Sequence, residues 1–133
     1  MPEGVGYGPQ NTASIGLELN VVGTHCYAAS GSVIYNNNET TALEFETGAF
    51  VTRATVQVNT LDYDGDDLGI LLYFNGVVIS QQRFITVGAS TFTDFPRWDL
   101  VIPPFTKFKL TFDNLTDTTG HTASAVFAGR LYK

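Results

Sequence analysis

The chain has little cysteine and no long apolar run, and each of these absences excludes a structural feature. Its 133 residues include one cysteine, Cys26, so no internal disulfide bond can form. Because its only local partner is His25, we interpret Cys26 as a small buried apolar residue rather than a nucleophile or a metal ligand. No apolar run approaches the ~20 residues that a membrane-spanning helix needs. The first residues also lack the basic and apolar regions of a signal peptide, so we expect synthesis in the cytoplasm.

Basic residues are also few. Seven lysines and arginines stand against thirteen aspartates and glutamates, which gives a formal net charge of −6. The basic residues are scattered along the chain: Arg53, Arg83, Arg97, Lys107, Lys109, Arg130 and Lys133. An acidic chain without a basic stripe is repelled by phosphate backbones and by anionic membrane surfaces. We therefore expect neither nucleic acid nor a membrane among its partners.

Common catalytic and metal-binding patterns are missing as well. The two histidines, His25 and His121, lie far apart and do not have the spacing of metal ligands. The acidic run 62–67 invites a calcium interpretation, but the sixth and twelfth positions of an EF-hand loop would fall on Asp67 and Tyr73 instead of Gly and Glu. Glu44 and Glu46 could resemble the carboxylate pair of a glycosidase. Two residues apart on one predicted strand, however, they share the outward face and do not flank a cleft, so we interpret them as a solvated pair. We therefore predict no catalytic site, no metal and no cofactor.

What the sequence does contain is β-strand alternation with frequent turn signals. Residues 41–47 and 107–112 alternate apolar and polar side chains, and no segment sustains a helical period. The apolar positions predicted to face inward are Leu43, Phe45, Ala54, Val56, Val58, Phe108, Leu110, Phe112, Ala123, Ala125, Phe127 and Leu131. An N-terminal strand with Ile15, Leu17, Leu19 and Val21 inward and a strand over 27–35 are also predicted. The fold class is all-β: a single-domain antiparallel sandwich, jelly-roll-like, of about 8–10 strands over residues 15–133.

The strongest local signal is the pair Asn75-Gly76 between two β-favouring runs, which predicts a hairpin with a type I′ turn. This turn places the pairs Phe74–Val77, Leu72–Ile79 and Ile70–Gln81 on one face and the pairs Tyr73–Val78 and Leu71–Ser80 on the other. The second face is more apolar than a solvated face usually is. We therefore predict that Leu71, Tyr73 and Val78 bind a partner, including further copies of the chain.

Residues 1–14 are predicted to form an extended N-terminal arm, because the first ten residues contain glycines and prolines and few groups that could anchor a core. Tyr7, between Gly6 and Gly8, is the residue there with enough apolar area to enter a groove on a neighbour. The alternative interpretation is a frayed terminus. The arm hypothesis makes Tyr7 a partner-binding residue.

Several segments together resemble the small β-sandwich structural proteins of tailed bacteriophages. They are TALEF at 41–45, AFVT at 49–52, LLYFNG at 71–76, LVIPPFTKFKL at 100–110 and ASAVFAGRL at 123–131. The resemblance covers most of the chain from about residue 32 onward. It implies a non-enzymatic virion protein, a decoration or cement subunit that binds the major capsid protein or another virion protein. It also implies a homotrimer located on the capsid surface.

A second interpretation comes from another functional class. Similar strands and turns occur in carbohydrate-binding modules, in which exposed aromatic rings stack on sugars. Tyr35, Tyr63 and Trp98 are the candidate platforms for such a glycan- or receptor-binding module. Trp98 alternates with Arg97 and Asp99, a pattern that equally fits an aromatic residue of the sandwich core. An enzyme is the third possibility.

Overall fold

The computed structural model describes residues 17–61, 67–85, 96–114 and 120–133. In these ranges the chain forms ten β-strands and no helix. The strands are β1 (Asn20–Val22), β2 (His25–Ala29), β3 (Val33–Tyr35), β4 (Thr40–Glu46), β5 (Val51–Leu61), β6 (Asp67–Phe74), β7 (Val77–Ile85), β8 (Arg97–Ile102), β9 (Lys107–Asn114) and β10 (His121–Tyr132). The all-β prediction is confirmed.

The strands form two antiparallel sheets that pack face to face. The smaller sheet has the order β4-β9-β6-β7, and the larger has the order β1-β2-β10-β5-β8, with β3 also paired to β10. If β2 and β3 count as one interrupted strand, β2/β3-β10-β5-β8 opposes β4-β9-β6-β7. This strand order is that of a jelly roll with a short additional strand, β1. The predicted β-sandwich is therefore confirmed.

The core lies between the two inner faces and is rich in aromatic rings. Phe45, Phe108 and Phe127 form a cluster with ring centroids 4.8–5.3 Å apart, and Tyr35 packs on Phe112 at 5.7 Å. Each predicted inward position on β4, β5, β9 and β10 is buried. Period-two alternation therefore identified the buried face of these strands, because successive side chains point to opposite faces of a sheet.

The Asn75-Gly76 turn is confirmed, with φ of 52° at Asn75 and 81° at Gly76, as a type I′ turn requires. The predicted pairs nearest the turn, Phe74–Val77 and Tyr73–Val78, are also present. Beyond them the predicted register is wrong by one residue, because a β-bulge leaves Ile79 without a partner. The observed pairs are Leu72–Ser80, Leu71–Gln81 and Ile70–Gln82.

The N-terminal part of the sandwich differs more from the prediction. Within the described residues, the strand predicted to begin at Ile15 is only Asn20–Val22, and Leu17 and Val21 are exposed, although Leu19 packs against the core. The predicted strand 27–35 is divided at Ser30, whose hydroxyl accepts the N–H of Ala125 at 2.9 Å. Gly31 follows with φ of 67°. The side chain of Ser30 thus replaces a ladder contact where the chain turns.

Several predicted features lie outside the described residues. They are the arm 1–14 with Tyr7, residue Ile15, the acidic segment 62–66 and Tyr63. Asp67, the last carboxylate of the acidic run, is the first residue of β6.

Candidate functional site

Tyr73, one of the predicted partner-binding residues, lies on the outer face of the smaller sheet and is half-buried. Its hydroxyl donates a hydrogen bond to the Glu39 carboxylate, to which Thr111 Oγ1 also donates at 2.6 Å. Lys109 Nζ lies 5.2 Å from the centre of the Tyr73 ring. Both the hydroxyl and one face of the ring are therefore already engaged within the chain.

These contacts shift the acid–base properties of the group. The hydrogen bonds from Thr111 and Tyr73 lower the pKa of Glu39, and the same bond to Glu39 raises the pKa of Tyr73. Burial raises the pKa of Asp113, and the nearby charge of Glu39 raises it further. Among the described residues, Asp113 Oδ1 is a buried oxygen without a hydrogen-bond partner. The arrangement keeps Glu39 charged and Tyr73 protonated.

The other predicted partner-binding residues on this sheet are unequally accessible. Val78, directly opposite Tyr73, is exposed, whereas Leu71 is half-buried between Thr111 and Gln81. The structure therefore places Leu71, Tyr73 and Val78 on one face but leaves Val78 as the accessible member.

Exposed apolar side chains gather instead at one end of the sandwich, which we call the loop end. It contains the connections 47–50, 75–76 and 103–106 together with the last residues of β10. Thr47 and Thr106 fasten the first and third connections, since the N–H of Thr47 bonds the Thr106 carbonyl at 2.9 Å. The N–H of Asn75 bonds the Lys107 carbonyl at 2.8 Å, and Asn75 Oδ1 accepts the N–H of Lys107 at 2.8 Å. The scaffold under the loop end is thus held by backbone hydrogen bonds and by the side chain of Asn75.

Phe105 is the most prominent side chain of the loop end, with 65% of its surface exposed. The Phe105 N–H bonds the Gly48 carbonyl at 2.9 Å, and its φ is 53°. It follows Pro103 and Pro104 at a turn position where positive φ normally selects glycine or asparagine. Phe50, Val77, Val101 and Tyr132 are further exposed apolar residues at or beside this end. Lys133 Nζ lies 5.7 Å from the ring centre of Phe50.

Phe105 is not among the partner-binding residues that the sequence predicts. Two prolines before Phe105 indicate that it lies in a connection between strands, but they do not indicate a positive φ at an aromatic residue. The prolines have no N–H to donate to a ladder, and β8 ends just before them, at Ile102. The exposure of the next residue does not follow from them.

The predicted aromatic platforms for a sugar are not free where the structure describes them. Tyr35 is 1% exposed and packs on Phe112. The indole of Trp98 is half-buried against the core, and its Nε1 donates to Ser80 Oγ at 3.0 Å. That bond joins β7 and β8, the edge strands of the two sheets. Trp98 therefore lies where its second interpretation, an aromatic residue of the sandwich core, places it.

Cys26 is buried, and burial raises the pKa of its thiol despite a hydrogen bond from the Gly129 backbone that lowers it. A protonated thiol is a poor nucleophile, in agreement with the interpretation of Cys26 as an apolar core residue. Across the described ranges, no group of three or more His, Cys, Asp or Glu side chains is placed to hold a metal ion. The same ranges contain no helix long and apolar enough to cross a membrane.

No protein-family model matches the chain, and comparisons with curated proteins and with solved structures give no significant match.

Proposed function

We propose that the protein is a non-enzymatic structural subunit of a virion that decorates or cements an assembled capsid. Phe105 carries this proposal: an exposed aromatic residue in a strained backbone conformation at the loop end. The resemblance of the sequence to phage structural proteins supports the choice of partner, the major capsid protein or another virion protein. On this proposal the loop end is the docking surface and the protein resides on the capsid.

The energetics of Phe105 argue for a binding role. Left-handed backbone disfavours a residue with a bulky side chain by roughly 1–2 kcal/mol, and asparagine or glycine would remove most of this strain. An exposed phenylalanine contributes little burial in return. Strain that the fold does not require is concentrated at functional positions in proteins. Buried aromatic anchors also dominate many protein interfaces.

The experiment uses capsids of the virus that encodes the chain, purified free of this protein. Phe105→Asn should bind them roughly tenfold more weakly than the parent, because an aromatic anchor is lost. Its stability should be equal to that of the parent or higher by up to about 1 kcal/mol, because asparagine tolerates the left-handed conformation. Co-sedimentation gives the affinity, and urea unfolding gives the stability.

Ile34→Asn is the matched control. Ile34 is 70% exposed. It lies on β3, which pairs with the first residues of β10, whereas Tyr132 at the loop end is the last residue of β10. The control should bind the capsids as the parent does. Equal binding by Phe105→Asn and the parent would refute the loop end as the docking surface, and no binding by the parent would refute the capsid as the partner.

A further inference from the structure

The outer face of the larger sheet carries an open depression of about 530 Å³, which borders the loop end at Val101, the cross-strand neighbour of Arg53. Arg53, Thr55, Asp99 and Arg130 contribute the polar side chains of its wall. Ala128 and Gly129 contribute the small residues of its lining.

Strand register assembles this depression from distant parts of the chain. Ala128 lies opposite Tyr27 on β2 and opposite Thr55 on β5, and Thr55 lies opposite Asp99 on β8. A row of four side chains thus crosses the sheet, with the smallest, Ala128, between Tyr27 and Thr55. Tyr27 is 51% exposed and lies at the border of the depression, on the strand next to Ala128.

The adjacent row concentrates positive charge. Arg130 pairs with Arg53 on one side and with His25 on the other. Like charges directly opposite each other on neighbouring strands destabilise a sheet. Among the ion pairs of the described residues, neither arginine has an acidic partner, whereas Arg97 pairs with Asp99 at 3.8 Å. In a chain of net charge −6, these two guanidinium groups form a site suited to an anion.

The opposite wall has different chemistry, and this defines the ligand further. Asp99 Oδ1 accepts a hydrogen bond from Thr55 Oγ1 at 2.8 Å. A carboxylate at this position repels a compact anion such as phosphate, but it accepts hydrogen bonds from hydroxyl groups. A ligand that satisfies both walls carries a carboxylate at one end and hydroxyl groups at the other. An exposed tyrosine ring beside the floor offers a stacking surface for a sugar ring.

We propose that this depression binds an acidic saccharide. Arg53 and Arg130 hold the sugar carboxylate, Asp99 accepts hydrogen bonds from sugar hydroxyls, and Tyr27 packs against the ring. Gly129 lies opposite the buried Ala54, on the core side of the sheet, and a Cβ there would lie 2.8 Å from the Arg53 carbonyl oxygen and 2.9 Å from the Ala54 Cβ. The close approach of β10 to β5, which places Arg130 beside Arg53, therefore depends on the absence of a side chain at Gly129.

The test measures binding of the full-length protein to a glucuronate-containing oligosaccharide by calorimetry. Its probes for comparison are the corresponding neutral glucose oligosaccharide, inorganic phosphate and a short oligoglutamate peptide. The acidic saccharide should bind at least roughly tenfold more tightly than each of the others. A hydrogen bond between a guanidinium group and the sugar carboxylate contributes at least the binding free energy that a tenfold ratio of dissociation constants requires. Arg53→Gln and Arg130→Gln should each weaken its binding roughly tenfold, and Tyr27→Ala should weaken it as well.

Arg83→Gln is the control with the same charge change, because Arg83 lies on β7 of the smaller sheet. It should bind the acidic saccharide as the parent does. Equal binding of the neutral saccharide, or equal or tighter binding of phosphate or oligoglutamate, would overturn the proposal. Undiminished binding by a folded Arg53→Gln/Arg130→Gln double variant would overturn it too, as would an absence of saccharide binding by the parent.

Discussion

At the scale of single residues, Asp113 is a carboxyl group whose ionisation the fold disfavours. Burial and the neighbouring Glu39 raise its pKa, so the folded chain holds the proton more tightly than the unfolded chain does. The stability that this group contributes is present below its unfolded pKa and is lost as the pH rises through its folded pKa. Asp113→Asn should therefore melt at a higher temperature than the parent near neutral pH, and the two should converge in acid. Thermal melts across this pH range give the comparison.

Glu46→Gln provides the control, since Glu46 is an exposed carboxylate on β4 of the same sheet. Its melting temperature should follow that of the parent over the whole range. Glu39 acts in the opposite direction from Asp113, because its lowered pKa gives stability above the unfolded value that is lost as the pH falls. A lower melting temperature for Asp113→Asn than for the parent at neutral pH would contradict the assignment.

Thr111 shows where residue-level prediction from the sequence stops. Alternation along β9 placed it on the outer face, and its pairing with Leu71 and its bond to Glu39 agree with that placement. It is nevertheless fully buried. Period-two patterns give the face of a side chain but not what covers that face. The cover comes from Glu39 and Tyr73, which lie far from Thr111 in sequence.

At the scale of elements, the β6–β7 hairpin shows that local sequence determines the turn but not the register of the whole strand pair. The Asn75-Gly76 turn and the two pairs next to it follow from turn chemistry. The bulge at Ile79 does not, because three apolar residues in succession, 77–79, show no alternation that would fix the register. Ser80, shifted opposite Leu72, becomes the partner of Trp98 across the sandwich. The register follows from packing between the sheets.

The pairing of β10 with β5 yields a prediction at this scale. Gly129 lies opposite Ala54, and a Cβ there would come within 2.8–2.9 Å of the β5 backbone and the Ala54 side chain. Gly129→Ala should therefore force the two strands apart and destabilise the fold by about 1–3 kcal/mol. Urea unfolding measures the change.

Gly48→Ala is the matched control for that substitution, since a Cβ at Gly48 would meet nothing within 4 Å. It should leave the stability within about 1 kcal/mol of the parent. If Gly129→Ala proves as stable as Gly48→Ala, the close approach of β10 to β5 does not constrain the fold.

At the scale of the whole molecule, both candidate sites arise from topology. The seven basic residues are scattered in sequence, and only the long-range pairing of β5 with β10 brings Arg53 and Arg130 together. Likewise, Phe50 and Phe105 lie on separate connections that meet through Thr47 and Thr106. The sequence could therefore predict the sandwich and most of its inner face. It could not predict these sites, because they depend on which strands become neighbours.

Self-association is the prediction that belongs to the whole molecule. Val78 and Ile79 expose apolar surface on the edge strand β7. We predict a trimer on the basis of the proposed virion role. Each copy carries a net charge of −6, so copies repel one another at low salt, whereas screening by salt leaves apolar contacts intact. Association measured by sedimentation velocity should therefore strengthen as salt rises, and Val78→Lys should weaken it. A protein that stays monomeric at high micromolar concentration in both low and high salt, or that dissociates as salt rises, would exclude an apolar interface.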